Sequence, residues 1–494
     1  MLSLQKSVIK STVQNKKFLK DQSMKKSVTA RTGFLSAVVI LFISVACTTG
    51  EYNEKTAWKK LYPQIQEQIV PPSFRDVKYN IADHGAVPGD SLTLNHNAIN
   101  KTIDLCSSEG GGTVLIPEGV WHTGPVLLKS NVNLHLAEGA VIRFTTDTSQ
   151  YPAVLTRWEG MDCYNTSPMI YAYGQENLAI TGKGTIDGGA SRENWWGMRR
   201  LSIIPGQAPR GRPLLMIWNE SDTPVEQRKM FVNDNLRPQL INLYKCKNIL
   251  IEDVTLKRPA FWTIHPLLSE NIIVRGVSIH TQGAPNGDGC DPESCKNVLI
   301  ENCFFNTGDD CIAIKSGRNN DGRKANIPSE NIIVRNCRMQ NGHGGVVIGS
   351  EISGGYRNLF VEDCEMNSPS LDRVIRIKTN NCRGGIIENV FVRNVNVGQC
   401  REAVLKINLV YEPNENCRRD FPPVVKNVYL DNVKCQNSRY GAYIAGFEDI
   451  TNVLNINLIN CEWTNVQSGN RLEGKIEGLN FRETKINGEL VVLE

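Results

Sequence analysis

Asn248-Ile249-Leu250-Ile251-Glu252-Asp253-Val254, Asn271-Ile272-Ile273-Val274-Arg275-Gly276-Val277, Asn297-Val298-Leu299-Ile300-Glu301-Asn302-Cys303 and Asn331-Ile332-Ile333-Val334-Arg335-Asn336-Cys337 are four versions of one heptapeptide. Asn opens it, mostly apolar residues follow, then a polar residue, then Asn, Asp or Gly, then Val or Cys. The pattern continues as Asn358 to Cys364, Asn389 to Val395, Asn427 to Val433 and, more loosely, Asn455 to Cys461, with starts 23 to 38 residues apart. Self-similarity at a short, irregular period marks a solenoid. Ile, Val, Leu and Phe dominate and Gly or Asn marks the turns, so the repeating content is β. No repeat holds an amphipathic helix, which argues against leucine-rich and ankyrin-type arrays. A parallel β-helix remains, an all-β fold whose coils stack about 4.8 Å apart. The opening Asn suits a left-handed turn and can bond its equivalents above and below.

Cys303, Cys337, Cys364 and Cys461 share the last position of the unit. A small apolar side chain fits a buried ladder there. Packed free thiols are the first reading, disulfides the second, and a zinc site the third, because finger-type spacing is missing.

Outward from the repeats, 76–494 reads as one solenoid domain. Its N-terminal cap spans about 76–117 and contains a helix from Asn95 to Cys106. Gly110-Gly111-Gly112 ends that helix, and Thr113 to Pro117 is the first strand. A Pro- and Arg-rich insertion at about 197–235 breaks the repeat and is expected to be a long loop on one rim. Residues 48–75 read as a polar tether and helical lead-in. Residues 1–47 read as a leader: a basic region from Met24, a short apolar run Phe34 to Val45, then Ala46-Cys47. The run is too short for a membrane span. Small residues leading into one cysteine make Cys47 a lipidation candidate, although Ser44 stands where Leu is usual. A soluble secreted product cleaved near Ala46 is the alternative. The pattern begins afresh at Met24, so 1–23 read as lying upstream of the true start.

The leader distorts the charge. Without residues 1–46 the chain has 47 basic groups (55 less 8) and 50 acidic ones (51 less 1). The nominal +4 becomes −3, and no global field draws it to nucleic acid. Affinity for an acidic ligand must be local.

Four polar clusters could supply it: Asn286-Gly287-Asp288, Gly308-Asp309-Asp310, Gly342-His343-Gly344 and Arg376-Ile377-Lys378. Each lies in a different repeat. Asp309 falls twelve residues after Asn297, and His343 twelve after Asn331, so the fold stacks one on the other. Adjacent acids raise one pKa and keep a proton available. Arg376 and Lys378 alternate with Ile375 and Ile377, which sends both cations to one face. They read either as salt-bridge partners of a ladder acid or as a clamp on a substrate carboxylate. Lys315 and Arg318 follow the acid pair closely and are candidate contacts to an acidic sugar. Arg323 and Lys324 divide evenly between cleft and solvated face. Trp262 and His265, one coil before Asp288, read as a sugar subsite or a buried stack.

These clusters, in this order, resemble the polygalacturonase family of glycoside hydrolases (family 28), whose motifs read Asn-Thr-Asp, Gly-Asp-Asp, Gly-His-Gly and Arg-Ile-Lys. Gly182 to Gly188 and Trp195-Trp196 share the resemblance, which runs from about Tyr79 to the C-terminus. Gly287 departs from it, since Thr is common there. The resemblance implies a right-handed parallel β-helix and inverting hydrolysis of α-1,4-galacturonosyl bonds. It implies Asp309 as general acid, Asp288 and Asp310 holding the attacking water, His343 tuning the acid, and Arg376, Lys378 and Asn286 binding substrate. Inversion predicts an acid-to-base separation of roughly 6.5–9.5 Å. No metal or cofactor is expected, the partner is an acidic pectic polysaccharide or oligosaccharide, and the protein is expected to be a monomer. Long loops point to exo-action and the leader to export, to the periplasm or surface of a bacterium. Three alternatives stand beside this reading: a hydrolase of another acidic pectic linkage such as rhamnogalacturonan, a calcium-dependent pectate lyase, and a non-catalytic glycan-binding solenoid.

Overall fold

The computed structural model describes residues 53–89, 91–200, 210–230 and 234–492. The leader, Cys47 and the first residues of the tether lie outside them. The repeats build a right-handed parallel β-helix with three walls. Two walls are 13-stranded sheets whose strand order follows chain order. The third has four strands up to Ile264–Leu267 and six from Ile312–Ile314 onward. Single-residue bridges at Cys290 and Glu293 join the two parts.

Each heptapeptide is a strand of the first wall followed by its corner. The opening Asn takes a left-handed conformation in every repeat, φ 55 to 66° from Asn248 to Asn455, and the ladder pairing skips it. Its amide is thereby free to bond along the axis. An unbroken ladder of Asn side-chain hydrogen bonds, 2.8–3.2 Å long, runs from Asn131 to Asn455. The second and fourth positions of the unit point inward, and one continuous apolar core extends from Ile81 to Val466. Cys303, Cys337, Cys364 and Cys461 are buried free thiols in that core, as first read. One disulfide does form elsewhere, between Cys382 and Cys417.

Three elements differ from the sequence-based expectation. The cap helix is His96–Ser108, and the first strand is Lys78–Asn80, which pairs with Gly112–Ile116. The stretch read as tether and lead-in is helical from Glu54 through Gln68, and Trp58, Tyr62 and Ile65 pack on the first wall. They cover the third position of the unit, Leu250, Ile273, Leu299, Ile333 and Phe360, which would otherwise put an apolar stripe in water. The insertion is not all loop: Gly211–Glu220 is a helix whose Leu215 and Met216 are buried against Trp158, Phe261 and Trp262.

Candidate active site

The four polar clusters sit on consecutive coils, tied by main-chain hydrogen bonds. Thr263 N donates to Asp288 O (3.0 Å), Gly289 N to Asp310 O (3.0 Å), Cys311 N to Gly344 O (2.8 Å) and Gly345 N to Arg373 O (2.9 Å). Close approach of these turns needs glycine. A Cβ on Gly308 would lie 2.3 Å from Ala284 O, and one on Gly287 would lie 2.7 Å from the Ala284 Cβ. The departure from Thr at 287 therefore matches a turn with no room for a side chain.

Asp309 and His343 meet as the twelve-residue offset requires, with Nδ1 2.9 Å from Oδ1. Burial favours the neutral Asp309, but the His343 hydrogen bond and the Lys378 charge outweigh it and hold the carboxyl at about 2. The same hydrogen bond raises His343 above 6.5 against the opposing effect of burial. Asp310 is fully buried and accepts from Lys378 Nζ (2.7 Å) and Arg376 Nη1 (3.4 Å). The pair of cations is thus a salt bridge to a ladder acid in the free protein, while both also line the cleft.

One expectation is corrected. Asp309 is not the raised carboxyl. Burial, then the like charges of Asp291 and Asp309, push Asp288 well above the carboxylate range. Asp288 Oδ1 and both oxygens of Asp291 are buried with no hydrogen-bond partner among the described residues. One oxygen from each of Asp288, Asp309 and Asp310 lies within 4.8 Å of the others. Asp309 and Asp310 share one coil and Asp288 lies on the coil before it, about 4.8 Å away, which brings the three carboxylates together. This trio is spaced closely enough to ligate an ion, but Arg376 and Lys378 already neutralise one member.

The cleft holds about 530 Å³, and Asn286, Asp288, Asp309, His343, Lys315, Arg318, Arg376 and Lys378 all line it. Asp310 lies beneath. Asn286 has φ 53°, and its Oδ1 accepts from Arg237 Nη2 at 2.7 Å. Lys315 and Arg318 are wall components whose charges are already matched. Lys315 is 2 % exposed, 3.3 Å from Glu351 and 4.3 Å above the Trp262 ring. Arg318 is 1 % exposed and contacts Glu159, Glu351, Glu412 and Glu415 at 2.8–3.2 Å. Trp262 joins the lining, whereas His265 is buried against Glu293. Arg323 stacks on Phe421 and Lys324 pairs with Asp222, so both leave the cleft.

Sequence reading missed Trp158, Arg212, Arg237, Arg373, Tyr411 and Glu412, which also line the cleft. The Tyr411 ring lies 5.5 Å from both Arg376 and Lys378. A signal existed for part of this group: the longest gap between repeats, Asn389 to Asn427, contains Tyr411 and Glu412. Arg212 Nε bonds Glu159 at 2.6 Å, and its Nη2 stands 3.6 Å from Glu412. This pairing walls one side of the cleft. The disulfide Cys382–Cys417 staples the loop that carries Glu412.

A hydrogen-bonded carboxylate and imidazole, two further acids and a double cation at a groove on a β-helix are the groups that acid–base cleavage of a glycosidic bond uses. The model for glycosyl hydrolases family 28 matches residues 106–468, and the chain belongs to that family. It is 32% identical over 372 residues to a probable polygalacturonase of Vitis vinifera, covering 72% of this chain and 66% of the grape protein. It is 28% identical to an exo-poly-alpha-D-galacturonosidase of Dickeya chrysanthemi, over 70% of this chain and 59% of that protein. The chain thus matches less than two thirds of the length of these relatives. The crystal structure of a hyperthermoactive exopolygalacturonase from Thermotoga maritima superposes with a TM-score of 0.81 at 38% identity, covering 88% of this chain and 97% of that one.

Proposed function

We propose that this protein hydrolyses α-1,4-galacturonosyl linkages in pectic galacturonan and does so from a chain end. The observation that carries the reading is the Asp309–His343 pair, gathered with Asp288 and Asp310 beside the Arg376 and Lys378 cations. Family membership and the named activities of the relatives support it.

In this mechanism Arg376 and Lys378 exchange part of their hold on Asp310 for the carboxylate of the bound sugar. An anionic sugar in a dry cleft disfavours ionised Asp309. The proton held between His343 Nδ1 and Asp309 Oδ1 then moves to Asp309, which delivers it to the glycosidic oxygen. Asp310, with that hold loosened, takes a proton from the water that attacks C1, and Asp288 orients that water. The bond to the leaving sugar breaks as the new C–O bond forms. Inversion is part of the proposal, supported by family membership. It predicts the β-anomer as first product, read directly by proton NMR.

The wall of Glu159, Arg212 and Glu412 supports exo-action. Chromatography of early products on polygalacturonate tests both parts of the reading. A single small galacturonide from the first minutes is expected, with no ultraviolet absorbance from a new double bond and no loss on chelation. An unsaturated, chelator-sensitive product would replace hydrolysis with a lyase reaction, and a spread of sizes would replace exo- with endo-action. Export fits the Cys382–Cys417 disulfide, which persists in oxidising compartments. Lipidation at Cys47 and a monomeric state complete the proposal.

A further inference from the structure

The outward face of the third wall continues past the cations of the site. In strand register Arg376 pairs with Lys406, Lys406 with Tyr443, and Tyr443 with Arg471. Leu405, Ile407, Ala442 and Ile444 fill the core, so alternation turns Lys406 and Tyr443 outward. The groups are in contact: Lys406 Nζ lies 4.2 Å and the Arg471 guanidinium 4.7 Å from the Tyr443 ring centroid. The result is a file of one cation or ring per coil, about 14 Å long at the usual rung spacing. Glu402 pairs with Lys406 and Arg373, and Glu473 lies 2.7 Å from Arg471, so a competing carboxylate could take over these contacts.

We propose that Lys406, Tyr443 and Arg471 form a track that binds the length of acidic polysaccharide lying outside the cleft. The proposal rests on the reading of this site as a polyuronate hydrolase and extends it to chain length. Trp158, Glu159 and Trp262 stand on coils before Asp309, whereas the track lies on coils after Arg376. A polymer entering the cleft therefore leaves over the later coils. There it meets a charge or a ring at each rung, a repeat suited to a chain carrying one carboxylate per sugar. The ring offers a face to the apolar side of a pyranose and holds the two cations beside it.

The experiment compares the wild type with Tyr443→Ala/Arg471→Ala and with Arg471→Ala alone, whose side chain is 46% exposed and carries little folding risk. KM is measured on trigalacturonate and on polygalacturonate at low and high salt, with thermal unfolding as the folding check. The double variant is expected to raise KM on the polymer about fivefold or more, to leave trigalacturonate within about twofold, and to flatten the salt dependence. An unchanged polymer KM, or an equal loss on both lengths, overturns the track. Affinity electrophoresis through gels containing polygalacturonate separates this proposal from the reaction it rests on. Retardation of the wild type, lost in the double variant, supports the track even if neither protein turns over substrate. Equal migration of both refutes it.

Discussion

Asp309 and His343 share one proton, and their pKa shifts set its pH window. His343 is raised above 6.5, so its protonated form is lost only as pH climbs through that higher value. Asp309 is depressed from 3.8 to about 2, so its ionised form is lost only as pH falls toward 2. The stability linked to the pair is therefore full between about 4 and 6.5 and fades on either side, as pH rises through the raised His343 value or falls toward 2. If the pair is the proton store, kcat/KM should fall on the alkaline side above pH 6.5, and His343→Gln should move that limb to lower pH. Asp309→Asn should cut kcat by about 10²- to 10⁴-fold with KM little changed, measured as reducing ends released. A binding module would show no such loss. The pairing was legible from the twelve-residue offset. The raised carboxyl was not, because the sequence places Asp291 three residues after Asp288 but shows neither their burial nor the approach of Asp309.

At the scale of elements, the strands of the first wall carry three apolar residues in a row, as in Ile249-Leu250-Ile251. Such runs are buried on both faces. The sequence thus held the signal that something covers the outside, and the helical segment from Glu54 to Gln68 does so. Trp58 packs edge-on against Phe360 at 4.9 Å and lies under the Arg393 guanidinium at 3.7 Å. Trp58→Ala should destabilise the fold by about 3 kcal/mol in denaturant unfolding, since it removes the largest ring that the helix seats on the wall, beside Tyr62. The wall of the cleft is a second element-scale device. Arg212→Ala removes contacts to Glu159 and Glu412 while touching none of the reacting acids. It should broaden the early products from one size to several, whereas Arg212→Lys should preserve the single product. An unchanged product pattern in Arg212→Ala would exclude this wall as the cause of exo-action.

Over the whole molecule, one core runs through every coil, and neighbouring rungs supply nearly all contacts, as expected of a solenoid. Twelve described cysteines are buried thiols and two form the disulfide. Together with Cys47 these are all 15 cysteines of the chain. Thiol titration of the exported protein under denaturing, non-reducing conditions should therefore count 12 free thiols if Cys47 is lipidated, and 13 if it is merely retained. The balance of charge after the leader is slightly negative, so capture of an acidic polymer depends on the local file of cations and should weaken with salt.

The β-helix, its coil order and the stacking of Asp288, Asp309, His343 and Arg376 follow from the sequence alone. A repeat in phase with its own hydrogen-bond ladder leaves equivalent residues only one place to go. What lies outside the repeat was decided by tertiary structure. The helical cover on the first wall, the ion pairs that close the cleft, the matched charges of Lys315 and Arg318 and the raised carboxyl of Asp288 arise between segments up to hundreds of residues apart. Their energies depend on burial and on partners that no local pattern encodes.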